Sequence, residues 1–145
     1  EKVYNELTNS FGLLSFPVLV HKSAVISFNA TLAEGCVVMP QAVVGPNSRV
    51  EKFCLLNTMS SIDHDCTMDS FSSTAPGAIA GGKVKIGRRS VLSIGAVVKH
   101  GVSIGNDTVI GANSYVNKNI NSNVLAYEKT KKIIRDRVAN EPYLK

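Results

Sequence analysis

The stretch SSIDHDCTM, residues 60–68, sets His64 between Asp63 and Asp65, with Cys66 close behind. The chain has only three histidines, His21, His64 and His100, so reactive side chains concentrate here. Three readings are open. A histidine titrates near neutrality, and a neighbouring carboxylate fixes its tautomer and raises its basicity, which makes a general base. A metal would need several donors at ~2.0–2.1 Å from the ion. No second histidine lies near enough in sequence to complete such a set, so no metal site is expected. The third reading is a solvated polar corner without chemistry. The tripeptide cannot choose between them; the elements that position it can.

Those elements follow a period of six. From Ile26 the steps reach Leu32, Val38, Val44, Val50, Leu56, Ile62, Met68, Thr74, Ala80, Ile86, Leu92, Val98, Ile104, Ile110 and Val116. All but Thr74 and Ala80 are large aliphatic residues or Met. Two residues before each stands a small one, from Ala24 and Ala30 through Cys36, Cys54 and Cys66 to Ser114. Six is a multiple of two and a poor match to 3.6, so the pattern fits short strands with alternating side chains. Small and large positions face inward together. Asn, Asp and Gly recur three places after the large residue, as at Asn47, Asp65, Gly77 and Gly95, and these tolerate left-handed backbone. Pro40, Pro46 and Pro76 stand one place earlier and preset the turn. A strand and a bend, repeated three times, close a triangular coil of about eighteen residues, stacked at the ~4.8 Å strand spacing. The expectation is an all-β solenoid of a little over five turns, with the cysteines as core fillers.

The ends break phase. Glu1–Ser10 reads as a helix with Val3 and Leu7 on one face, and residues 16–21 as a strand entering the coil. Residues 123–127 read as a strand and 128–137 as a helix with Ile133 and Ile134 inward. The expected division is a cap over 1–15, the coil over 16–120, and a strand and helix cap over 121–145. Such caps cover strand edges that would otherwise pair with other chains.

In this frame His64 sits two places after Ile62, on a bend, so its ring leaves the prism at a corner. Eighteen-residue steps give Gly82 and then His100. The two imidazoles are expected on one corner, roughly 10 Å apart, with a gap over Gly82 that lets a ligand approach the backbone. Positions such as Val25, Val37, Val43, Leu55, Ile79, Val91, Val97 and Val109 point outward yet are apolar, which calls for a partner surface.

Composition bounds the rest. Of 145 residues, 44% are hydrophobic and 19% charged, as in a globular domain. No apolar run approaches the ~20 residues of a membrane span. The net charge of +5 gathers toward residues 128–145, either a solvated face or an anion site. Aromatics are too few to indicate nucleic acid. An odd number of cysteines fits a reduced, cytoplasmic protein.

The segments IGRRSV, IGNDTV and IGANSY resemble the left-handed parallel β-helix of hexapeptide-repeat acyltransferases. LNTMSSIDHDC (56–66), APGAIAGGKVKIG (75–87) and LSIGAVV (92–98) resemble the sialic-acid O-acetyltransferase and UDP-4-amino-sugar N-acetyltransferase group. That resemblance implies a homotrimer using acetyl-coenzyme A, with active sites between neighbouring prisms. It makes His64 the general base and Asp65 the acid that raises its basicity. It sets Asn57 and Asp63 beside the acceptor, a sugar or sugar nucleotide. It puts Ser73, Gly82, Ile94, Gly95, Gly111 and Ala112 along the coenzyme channel, with a backbone N–H such as that of Gly82 or Gly95 for the oxyanion. The implied transfer is direct. Ser73 departs from a histidine found in some relatives, and EKTKK (128–132) from a Gly-x-Pro-Ala-Lys segment. Relatives usually carry a nucleotide-binding domain ahead of the coil, of which residues 1–10 would be the last helix. The competing expectation is a non-catalytic trimeric prism.

Overall fold

The structure, a computed structural model, describes residues 1–12 and 14–128. Two-residue strands recur every six residues from Leu19–Val20 to Tyr115–Val116, and Leu125–Ala126 comes last. They pair in parallel at an offset of eighteen, as in the ladder Val37, Leu55, Ser73, Val91, Val109, except that Leu125 pairs with Val109 at an offset of sixteen. Three sheets of seven, six and five strands result. The first begins at Leu19–Val20, the second at Val25–Ile26 and the third at Thr31–Leu32. The whole is a left-handed parallel β-helix of about six turns. It exceeds the count from periodicity because the strands Leu19–Val20 and Leu125–Ala126 extend the coil beyond the strict repeat.

The inward phase is as the sequence implies. Val38, Val44, Leu56, Ile62, Met68, Ile86, Leu92 and Ile110 fill the axis, and Thr74 and Ala80 are buried with them. Burying each large aliphatic side chain contributes about 1.5–3 kcal/mol. Cys36, Cys54 and Cys66 lie in the small inner columns at 0–1% exposure. Burial pushes the Cys66 thiol up from its ordinary value. Inner hydroxyls satisfy corner backbone. Ser48 Oγ donates to the Asp63 carbonyl at 2.7 Å and accepts the Cys66 N–H at 3.0 Å, which ties down the start and end of the DHD corner.

The corners take left-handed backbone at the expected places, including Asn47 (φ 59°) and Asp65 (φ 56°). Gln41, Phe53, Met59, Phe71, Lys83 and Arg89 adopt it too, although their residue types do not announce it. The stacked coils above and below impose the turn. Asn119, three places after Val116 and so in the same phase, does not adopt it.

The helix α1, Lys2–Phe11, lies against the corner between the third and first sheets. Its contact face differs from the expected one. Val3 is 65% exposed, whereas Tyr4, Leu7 and Thr8 are half-buried. Tyr4 packs against Phe53 at 4.6 Å between ring centroids, and Phe53 stacks on Phe71 at 5.2 Å. Tyr4 thus takes the contact expected of Val3, since the stacked rings of Phe16, Phe53 and Phe71 lie beneath it. Glu1 pairs with Arg88 and Arg89, which hold its carboxyl below the usual range. The helix expected over 128–137, including the basic run after Glu128, lies outside the described residues.

Candidate active site

The DHD tripeptide forms the corner between the second and third sheets, following the strand Ser61–Ile62. Ile62 is fully buried and anchors the turn, while Asp63, His64 and Asp65 all reach solvent. Asp63 Oδ1 accepts the His64 backbone N–H at 2.8 Å, so this carboxylate shapes the turn from within. The left-handed conformation of Asp65 swings its carboxylate back toward the ring. His64 Nδ1 and Asp65 Oδ2 are 2.7 Å apart. An ionised carboxylate only accepts, so Nδ1 carries the proton and Nε2 is left as the basic nitrogen.

Asp65 has a second partner on the preceding coil. Asn47 Nδ2 donates to Asp65 Oδ1 over a long 3.4 Å. The His64 hydrogen bond chiefly, then the Asn47 carboxamide and the Lys83 charge, holds the Asp65 carboxyl below the usual carboxylate range. Asn47 was not among the expected site residues. The signal was present, since it stands eighteen residues before Asp65 and is of a type that donates to carboxylates.

The gap expected over Gly82 is filled. The His64 imidazole lies across that glycine, so closely that a Cβ there would be 2.3 Å from Nε2. Gly82 is buried in consequence, while Pro46, His64 and His100 on the same corner column are exposed. Beside this corner, Gly45, Pro46, Ser61, Asp63, Ile79 and Gly81 help to line a shallow cavity of about 330 Å³ on the second sheet.

The remaining expected residues stand elsewhere. Asn57, Ile94, Gly95, Gly111 and Ala112 all lie on the corner between the first and second sheets. Asn57 is half-buried, and its Oδ1 accepts the Thr58 N–H at 2.8 Å. Ile94 is 60% exposed and Ala112 is also exposed. Ser73 points outward from the first sheet between Leu55 and Val91. The voids beside Gly95 and Gly111 are taken by Asn113 and Tyr127 of the same chain. Within one prism, then, the second sheet separates His64, Asp65, Asp63 and Gly82 from the other group. The outward faces divide in the same way. The first two sheets present Leu19, Leu55, Val91, Val25, Val43 and Ile79, whereas the third presents Thr31, Arg49, Thr67 and Lys85.

The chain matches a known repeat and a set of known folds. Residues 83–118 match the bacterial transferase hexapeptide (six repeats). A GDP-perosamine N-acetyltransferase of Escherichia coli O157:H7 is 29% identical over 92 residues, 63% of this chain and 41% of that protein. The acetyltransferase domain of PglB from Neisseria gonorrhoeae, solved also with acetyl coenzyme A, superposes with a TM-score of 0.83 at 28% identity. The match covers 92% of this chain and 66% of that one. PerB from Caulobacter crescentus, in complex with CoA and GDP-perosamine, gives a TM-score of 0.83 at 31% identity over 92% of this chain and 64% of its own. This chain therefore spans less than half of the curated relative and about two thirds of the solved ones.

Proposed function

We propose that the chain is a hexapeptide-repeat acetyltransferase that carries an acetyl group from acetyl-coenzyme A to the amine of a sugar nucleotide. The observation that carries this reading is the His64–Asp65 pair, with Nδ1 committed to the carboxylate at 2.7 Å and Nε2 left basic at an exposed corner. The relatives that share the fold include N-acetyltransferases of GDP-perosamine, and two of the solved neighbours hold acetyl coenzyme A or CoA.

In this mechanism His64 Nε2 takes a proton from the acceptor amine as its nitrogen bonds to the thioester carbonyl carbon. The backbone N–H of Gly82 steadies the oxygen that gains charge, since that of Gly95 already donates to the Pro76 carbonyl at 3.1 Å. The carbon–sulfur bond then breaks, and the proton held by His64 passes to the departing sulfur. Asp65 stays ionised throughout and balances the imidazolium. Asn57 and Asp63 orient the acceptor. The exposed apolar corner at Ile94 and Ala112, with Ser73 alongside, suits the coenzyme's pantetheine arm, which supplies the activated acetyl thioester when bound.

Because the two groups of residues flank the second sheet, the site is completed by a neighbouring prism. Two different apolar faces and one polar face favour a closed ring of copies, each using its first sheet against another's second, and we infer a homotrimer. The helix α1 is then the seat of the cap over 1–15, ahead of the coil and a C-terminal cap. Three buried free thiols and the use of the coenzyme support a cytoplasmic setting for the reaction.

The test has two arms. Calorimetry with acetyl-coenzyme A should show binding, and a panel of 4-amino-sugar nucleotides should yield an acetylated product. His64→Ala should then lower transfer by ~10²–10⁴ and leave coenzyme binding intact. Turnover of His64→Ala at the parent rate would remove the base from this mechanism.

A further inference from the structure

We propose that Gly82 and Asn47 are positioning residues that clamp the His64 imidazole from the coils on either side. The inference rests on His64 acting as the base.

The glycine argument is one of elimination. Gly35, Gly77, Gly95 and Gly101 carry left-handed backbone, with φ between 64° and 72°, so their turns demand glycine. Gly45, Gly81, Gly87 and Gly105 abut the main chain of the adjacent coil, where a Cβ would fall 2.4–2.9 Å from backbone atoms. Gly82 has neither reason. Its φ is not in the left-handed region, and the three nearest atoms to an added Cβ all belong to His64, at 2.3, 2.6 and 2.8 Å. The missing side chain serves the ring and nothing else. Gly82 forms the floor on which the imidazole lies while Asp65 grips its far nitrogen.

The other side of the clamp is Asn47. Asp65 offers Oδ2 to His64 and Oδ1 to Asn47, so the carboxamide fixes the plane of the carboxylate that fixes the ring. Asn47 and Asp65 share one left-handed column with Lys83, whose charge also favours the ionised Asp65. Three successive coils thus contribute to one ring: Asn47 below, His64 and Asp65 in the middle, Gly82 above. A general base delivers its rate only when held in the reacting geometry, and ~1 Å of misplacement can lower turnover ~100-fold.

The clash in Gly82→Ala is with the end of a mobile side chain, so the ring yields and the fold does not. The expected result in the full chain is an unchanged or slightly raised Tm, an unchanged KM for acetyl-coenzyme A, and a kcat lower by about 10- to 100-fold. Nitrogen-15 spectra of the His64 ring should change from a single Nδ1–H tautomer to a mixture, since the ring loses Asp65. Asn47→Gly keeps the turn and removes the carboxamide. It should lower kcat by only a few-fold and raise the midpoint of the Asp65 carboxyl in carbon-13 titration. A Gly82→Ala protein whose ring keeps the single tautomer, with Asn47→Gly leaving the Asp65 midpoint in place, overturns the clamp. The spectra decide this without an acceptor, so a failed clamp and a failed base, the latter read from His64→Ala turnover, are told apart.

Discussion

Two corners of this prism use the same device for opposite ends. Between the third and first sheets, the Phe53 ring lies over Gly35, where a Cβ would be 2.4 Å from the ring edge. Between the second and third sheets, the His64 ring lies over Gly82 at 2.3 Å by the same measure. Phe53 is then covered by Tyr4 and Phe71, and Arg88 sits 5.1 Å above the Phe71 ring. Among the described residues His64 receives no such cover, only Asp65 at one end. Gly35 is required twice, by its φ of 72° and by the ring, whereas Gly82 is required by the ring alone. An aromatic ring on a glycine floor is thus a packing unit when hydrophobic neighbours close over it. It is a reactive unit when the ring titrates and its outer face stays open.

The sharpest way to break this contrast is to move each ring and read the other corner. Phe53→Ala removes the contacts with Tyr4, Phe16 and Phe71 at once and should destabilise the protein by about 2–3 kcal/mol in denaturant melts. It should also speed hydrogen exchange in Lys2–Phe11. The His64 tautomer spectrum should not change, and a change there would show that the corners are coupled. Asp65→Asn should lower transfer less than His64→Ala does, by about 10- to 100-fold, because orientation and charge balance are lost while the base remains.

Acid titration sharpens the comparison further, since both corners hold carboxyls below their ordinary values. Asp65 is held there chiefly by His64, and Asp107 chiefly by Arg89. Depressed folded values mean that each contribution is complete above the unfolded carboxylate value of about 4 and is lost as pH falls through the lower folded one. Carbon-13 titration should therefore find both midpoints under that of a free aspartate. His64→Ala should raise the Asp65 midpoint and not that of Asp107, whereas Arg89→Ala should raise the Asp107 and Glu1 midpoints and not that of Asp65. The smallest effect expected is on Tm. Arg89→Ala frees Asp107 and leaves Glu1 with Arg88 alone at a solvent-exposed site, so the decrease should be slight and should disappear in ~1 M salt.

Much of the coil was legible because its cause is local and repeated. Alternation fixed which side chains enter the core, and the turn residues fixed the corners, so His64 could be put on a corner from Ile62 alone. Less legible were features set by neighbours eighteen residues away. Phe53 and Phe71 adopt left-handed turns that their types disfavour, because the stacked coils dictate the backbone. The helix turned toward Tyr4 for the same reason, as its docking column of Phe16, Phe53 and Phe71 is assembled only by stacking. Gly82 read as an opening because a sequence shows a missing side chain but not which neighbour fills the space. The separation of Asn57 from His64 was available by counting. The first follows the strand Leu55–Leu56 and the second follows Ser61–Ile62, on successive sides of the triangle.

The offset of eighteen between paired strands, kept from Leu19–Val20 through Tyr115–Val116, gives this protein a reading frame in space. Removing one whole coil of eighteen residues shortens the prism by ~4.8 Å and returns every later side chain to the corner it had. Removing six instead carries everything downstream round by one face. Asp65 and its imidazole would then stand over the corner that now belongs to Met59, and the Asn47 carboxamide would be left a third of a turn behind. Length changes are therefore tolerated in triplets of hexapeptides, much as a gene tolerates triplets of bases, and any other change scrambles the partners of each corner while leaving the core pattern intact.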